Sequence, residues 1–206
     1  TISNLYVAAA NAGLFGTLKG TVNNLVLDDP CIKSKSGNAG AIAANAVNAT
    51  IMNCTVKVDS LADPNIVSGS ASVGMLVGYA ENSTISRGSV EVDSNVSVKA
   101  CGSNFGLIAG AVKGGSISNM TADGNISGGR AEAIGGAIGY AAGGSYSNIT
   151  LSGGMNSIEG NYLGGVIGYA DKNGSSNGSY SGIHSTLSMN VKSAMKQACH
   201  EGFLNI

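Results

Sequence analysis

The sequence predicts an all-β chain folded as a parallel β-helix (solenoid) of about six rungs. Three observations carry this expectation: a short glycine-bounded block recurs six times, a second block follows each copy in near-constant register, and the composition is that of turns and short strands. Three extended segments in a period near 30 residues, punctuated by Gly, Asn, Asp and Ser, suit one rung of a β-helix. A helix-pair repeat of similar length would instead need long runs at 3.6-residue spacing, rich in Ala, Leu, Glu and Lys.

In the first block two small residues stand four apart around apolar ones. The copies are residues 12–16 (AGLFG), 40–44 (GAIAA), 74–78 (GMLVG), 106–110 (GLIAG), 135–139 (GGAIG) and 164–168 (GGVIG), and their starts are separated by 28, 34, 32, 29 and 29 residues. The block is apolar on both sides of an extended strand. Val73, Met75, Val77 and Tyr79 alternate with Gly74, Leu76 and Gly78. One side must line the core. The row Leu14, Ile42, Leu76, Ile108, Ala137 and Val166 lies on the side opposite Val73. Whichever side is outermost is expected to be covered by a ligand or by self-association with another copy, since exposed apolar ladders invite pairing.

The second block begins with Ser or Thr followed by an aliphatic residue or Tyr: Val22, Ile51, Ile85, Ile117, Tyr146 and Tyr180. Two residues on stand Asn24, Asn53, Arg87, Asn119, Asn148 and Gly182, a variable position that is often Asn. Extra residues at 172–177 read as a loop before the last copy. The chain opens on this block in mid-repeat, because Ile2-Ser3-Asn4-Leu5 matches Ile117-Ser118-Asn119-Met120. A third, looser stretch precedes each new first block, as in 92–100 with alternating Val96 and Val98. Asp28, Asp59, Asp93 and Asp123 read as a row of turn-capping residues.

Residues 1–185 form the repeat domain, and 186–206 a C-terminal cap. There Leu187, Val191, Ala194, Met195 and Ala198 fall at helical spacing with Gly202 as a stop, so a short helix is expected. A second reading makes the tail a degenerate seventh rung, since Ala198-Cys199 and Phe203 echo Ala100-Cys101 and Phe105.

Composition narrows the function classes. The hydrophobic fraction of 43% with two prolines argues for a folded chain despite 32 glycines. A net charge of −1 with scattered Lys and Arg provides no basic stripe for nucleic acid. No run approaches eighteen apolar residues, so no membrane span is expected in this stretch.

Gly13-Leu14-Phe15-Gly16, Gly136-Ala137-Ile138-Gly139 and Gly165-Val166-Ile167-Gly168 resemble the GLUG-motif repeat of bacterial surface and secreted proteins. Met75-Leu76-Val77-Gly78 and Leu107-Ile108-Ala109-Gly110 keep only the second glycine, and residues 41–44 keep neither. The pattern covers the chain to about residue 185. The resemblance implies a right-handed β-solenoid in an extracellular or cell-surface adhesin-like protein, with a repeat region that carries no catalysis of its own.

Catalytic chemistry finds little in the residues. His184 and His200 both lie near the C-terminus, without the spacing of a triad. A β-helix polysaccharide lyase or hydrolase is the rival class, with Asp93 and Asp123 as candidate carboxylates, but no basic partner accompanies them. The acids lack the Gly-Gly-x-Gly-x-Asp pattern of calcium solenoids, so neither metal nor cofactor is expected. Cys31, Cys54, Cys101 and Cys199 show no CxxC spacing. Cys54 falls in the apolar row of Leu25, Met120 and Ile149 as a core thiol, and no disulfide is expected. Nine Asn-x-Ser/Thr sequons, at Asn48, Asn53, Asn82, Asn95, Asn119, Asn125, Asn148, Asn173 and Asn177, follow from a turn Asn preceding a strand hydroxyl. An ice-binding face would need paired Thr columns, whereas Thr21, Thr50 and Thr84 give way to Ser116, Ser145 and Ser179. The binding candidates are Tyr79, Tyr140 and Tyr169, one column after the second small residue, suited to stacking on a host or bacterial glycan or docking a surface protein if exposed.

Overall fold

The computed structural model describes residues 1–59 and 67–190. Among the described residues there are 24 strands and no helix, and every ladder between strands is parallel. A representative rung runs through Asn104–Gly106, Ala109–Lys113 and Ser116–Gly129. The chain then climbs to Ala133–Gly135, Ile138–Ala142 and Ser145–Asn156, each paired with its counterpart below. The strands stack as a β-solenoid of about six turns, with a four-stranded and a six-stranded sheet from the first block and an eleven-stranded and a three-stranded sheet from the rest of the rung.

The register is the one expected. Phe15 pairs with Ala43, Ala43 with Val77, Val77 with Ala109, Ala109 with Ile138 and Ile138 with Ile167. The second block aligns Val22, Ile51, Ile85, Ile117, Tyr146 and Tyr180 as one inward column. The bend after it holds Asn24, Asn53, Arg87, Asn119 and Asn148 at φ between 51° and 57°, with Gly182 at 59°. Three of the nine sequons, at Asn53, Asn119 and Asn148, have their physical origin here. Asn side chains tolerate the left-handed conformation and bond along the stack, as Asn148 Nδ2 donates to Asn119 Oδ1 at 3.1 Å.

The first block is where the structure corrects the sequence reading. It is not one strand but two, such as Ser72–Gly74 and Val77–Glu81, joined by a bend at Met75 and Leu76. The bend breaks the alternation, so Val73, Met75, Leu76 and Val77 are all fully buried. The ladder Ile42, Leu76, Ile108 and Ala137 is likewise buried by the chain itself, and only Leu14 and Val166 at its ends are half-exposed. In those inner rungs the ladder leaves no free face for self-association.

The paired glycines have a backbone reason. A Cβ on Gly139 would stand 2.5 Å from Phe105 N and 2.7 Å from Gly110 O, and one on Gly168 would stand 2.7 Å from Ile134 N. The strands that hold Gly110, Gly139 and Gly168 thus lie backbone against backbone on the four-stranded sheet one rung back. No side-chain layer separates them.

Two further expectations shift. Ile2 and Ser3 pair with Leu27 and Asp28, so the opening half-rung enters one strand later than its likeness to Ile117-Ser118-Asn119 suggested. Asn4 and Asp29 form a second left-handed bend, at φ 55° and 45°, and a four-residue match cannot tell the two bends apart. At the other end, Ser188–Asn190 is a strand paired with Gly154–Asn156 where a helix was expected, and Leu187 lies in the connection before it. The remainder of the expected cap, 191–206 with Cys199, His200 and Gly202, lies outside the described residues.

Candidate functional site

The six-stranded sheet turns alternate residues outward, and its outer column reads Thr17, Asn45, Tyr79, Ala111, Tyr140 and Tyr169. The three candidate tyrosines therefore do share one column. They form two groups, because Ala111 separates Tyr79 from Tyr140 by two rungs, about 10 Å.

Tyr79 is half-buried beside Glu81, and Glu81 pairs with Lys113 at 3.5 Å. Burial first, and the neighbouring Glu81 carboxylate second, push the Tyr79 phenol above its ordinary pKa. Tyr140 and Tyr169 meet on adjacent rungs with ring centroids 5.7 Å apart and planes tilted by 34°, and Tyr162 from Tyr162–Gly164 stacks on Tyr169 at 4.5 Å. Tyr162 and Tyr169 are 37% and 38% exposed, among the most open large apolar side chains described, so this cluster is surface and not core.

Asp171 follows Tyr169 by two residues on the same outward face. Its carboxylate is anchored twice: Oδ1 accepts Lys172 N–H at 2.7 Å, and Oδ2 accepts the Tyr140 hydroxyl at 3.4 Å. Burial and this carboxylate together raise the Tyr140 pKa. Next to it, Ala170, Asp171, Lys172, Asn177, Gly178 and Tyr180 line an open depression of about 300 Å³. The loop at 172–177, read as extra residues, is closed by reciprocal backbone bonds between Asn173 and Ser176 at 3.0 and 3.1 Å.

Tyr162 and Asp171 were not singled out in the sequence, and Asn177 entered only as a sequon at the end of a loop. The signal for Asp171 was the two-residue step from Tyr169, which puts both on one face. Tyr162 comes from the strand before the bend, and only the fold brings it over Tyr169.

Behind this surface, Tyr146 and Tyr180 stack at 5.2 Å and 10°, in the column that holds aliphatic residues in earlier rungs. Glycine makes room for them at the preceding corner. A Cβ on Gly144 would approach Tyr146 Oη at 3.1 Å, and one on Gly178 would collide with Tyr180 Oη. Tyr146 is fully buried with its hydroxyl unpaired, and burial raises its pKa strongly.

The carboxylates considered for glycosidase chemistry are separated. Asp123 pairs with Glu91, whereas Asp93 bonds back to Val58 and caps its own turn through Asn95 at 2.8 Å. The supposed Asp row is two columns, since Asp28 pairs with Lys57 and Asp59 N–H donates to Asp29. His184 lies exposed on Ser179–Ser185 opposite Thr150. No group of three metal-ligating side chains occurs among the described residues. Cys31, Cys54 and Cys101 are free thiols, with Cys54 buried and its pKa raised by that burial.

No protein-family model and no curated protein matches the chain. A solved structure similar to it is that of a Bacteroides ovatus protein provisionally described as an immunoglobulin A1 protease. The two share 18% identity at a TM-score of 0.58, over 92% of this chain and 59% of that one. The chain thus spans under two thirds of that protein's length, and at this identity the likeness shows a common β-solenoid fold.

Proposed function

We propose that the chain is a non-catalytic, adhesin-like binding module of a bacterial surface or secreted protein. The observation that carries this reading is the cluster of exposed Tyr162 and Tyr169 with half-buried Tyr140, set on stacked rungs beside an anchored carboxylate. Aromatic side chains held on a stiff scaffold present contact area at little entropic cost, which suits recognition. The resemblance of the first block to GLUG repeats supports a surface or secreted setting, as does the scaffold it shares with the Bacteroides ovatus protein. That protein's description makes immunoglobulin A1 a reasonable partner to include in the test.

The test presents the full chain to arrayed glycans, matrix proteins and immunoglobulin A1, then analyses each bound partner for cleavage. Binding without product is expected. Release of shortened glycan or peptide would overturn the non-catalytic reading, and the absence of any bound partner would overturn the binding one.

A further inference from the structure

Deepening the binding reading and resting on it, we infer that the depression beside Asp171 is a subsite for one neutral sugar ring. A pyranose has two chemical parts, an apolar face of C–H groups and a rim of hydroxyls that both donate and accept. The last two rungs carry the complement of each, an aromatic cluster and, beside it, the polar lining of the depression.

Tyr169 stands beside the depression, outside its lining; packed against Tyr140 and Tyr162 and still more than one third exposed, it offers the exposed part of its ring to C–H groups. Asp171 stands two residues on from it, on the same face. Its two anchoring bonds fix the carboxylate before any ligand arrives, so little ordering cost remains. Each carboxylate oxygen retains acceptor capacity for ring hydroxyls. Across the depression, the Asn177 amide, the Lys172 ammonium and the Tyr180 hydroxyl supply donors, and the amide also accepts. The Asn173–Ser176 turn holds Asn177 against this wall.

Charge and size select among ligands. Asp171 and Lys172 are adjacent and of opposite sign, so the site favours neither an anionic nor a cationic sugar. At about 300 Å³ the depression lies at the small end of ligand pockets, the scale of a single ring and not of a peptide segment. Its open side lets a longer glycan continue outward.

The experiment titrates the full chain with the methyl glycosides of D-glucose, D-galactose, D-mannose and N-acetyl-D-glucosamine, observed by saturation-transfer NMR. At least one glycoside should saturate, and Asp171→Asn and Tyr169→Ala should each weaken it by about tenfold or more, as expected for losing a charge-assisted hydrogen bond or a stacking surface. Asn177→Ala, on a surface loop outside the tyrosine cluster, keeps the test sound should Tyr169→Ala loosen the fold, and Thr121→Ala, exposed two rungs back on Ser116–Gly129 and outside the lining, should change nothing. Failure of every glycoside to saturate by roughly 10 mM, or equal binding by the three site variants, would overturn the subsite. If arrayed partners bind the wild type and all three variants alike, the subsite falls and the binding-module reading stands.

Discussion

At the scale of single residues, the fold is set by where side chains are missing as much as by where they are present. Gly139 leaves no room for a methyl group because its neighbours, Phe105 N and Gly110 O, are backbone atoms of the adjacent strands. Gly139→Ala should therefore cost about 3 kcal/mol in urea unfolding, while Gly20→Ala, with nothing within 4 Å of its Cβ, should stabilise by about 0.5 kcal/mol. The unpaired Tyr146 hydroxyl makes the opposite case: Tyr146→Phe should raise stability by about 1 kcal/mol. That residue also gives the chain a defined alkaline limit. Its folded-state pKa is raised, so the unfolded phenol ionises first. Stability falls as pH rises above about 10, by about 1.4 kcal/mol per pH unit for this group, and thermal melts of the Phe variant should lose that share of the slope. The glycines were legible as a pattern but not as a reason. A one-dimensional repeat shows that position 139 must be small, not that a strand one rung back touches it.

At the scale of the element, the bend after the second block is a stack of residues in the left-handed conformation, and Arg87 is its misfit. It sits at φ 54° where four other rungs place Asn, and its side chain gains only a 3.8 Å contact with Met52 Sδ. Arg87→Asn should relieve strain of about 1 kcal/mol and extend the amide stack toward Asn119, seen as a higher denaturant midpoint with unchanged slope. Strand register was the most legible feature of the sequence, because six copies of one pattern constrain one another. Element boundaries were less so. Reading the first block as one strand put Leu76 and Met75 on opposite faces, whereas the bend between Gly74 and Val77 buries both. The opening Ile2-Ser3-Asn4 was misplaced for a related reason, as a rung contains two bends of the same chemistry and a single copy has no neighbour to decide between them.

At the scale of the molecule, each rung touches only the rungs above and below it, and the binding candidates inherit that arrangement. Tyr79, Tyr140 and Tyr169 were legible because they recur in step, while Asp171, Tyr162 and Asn177 became visible only once the last two rungs were stacked. The backbone-to-backbone seam along the paired glycines has a mechanical consequence. Hydrogen bonds between rungs run along the solenoid axis, so a load drawn between the first and last rungs bears on the outermost strand alone, one bond at a time. Such a body peels and does not shear. Stretched by optical tweezers, the chain should lengthen in successive low-force steps, each freeing a rung of 29 residues in the regular part, or roughly 100 Å of extended chain. One abrupt high-force rupture would mean that the rungs share the load. A tether built this way yields by increments, lengthening under strain one turn at a time.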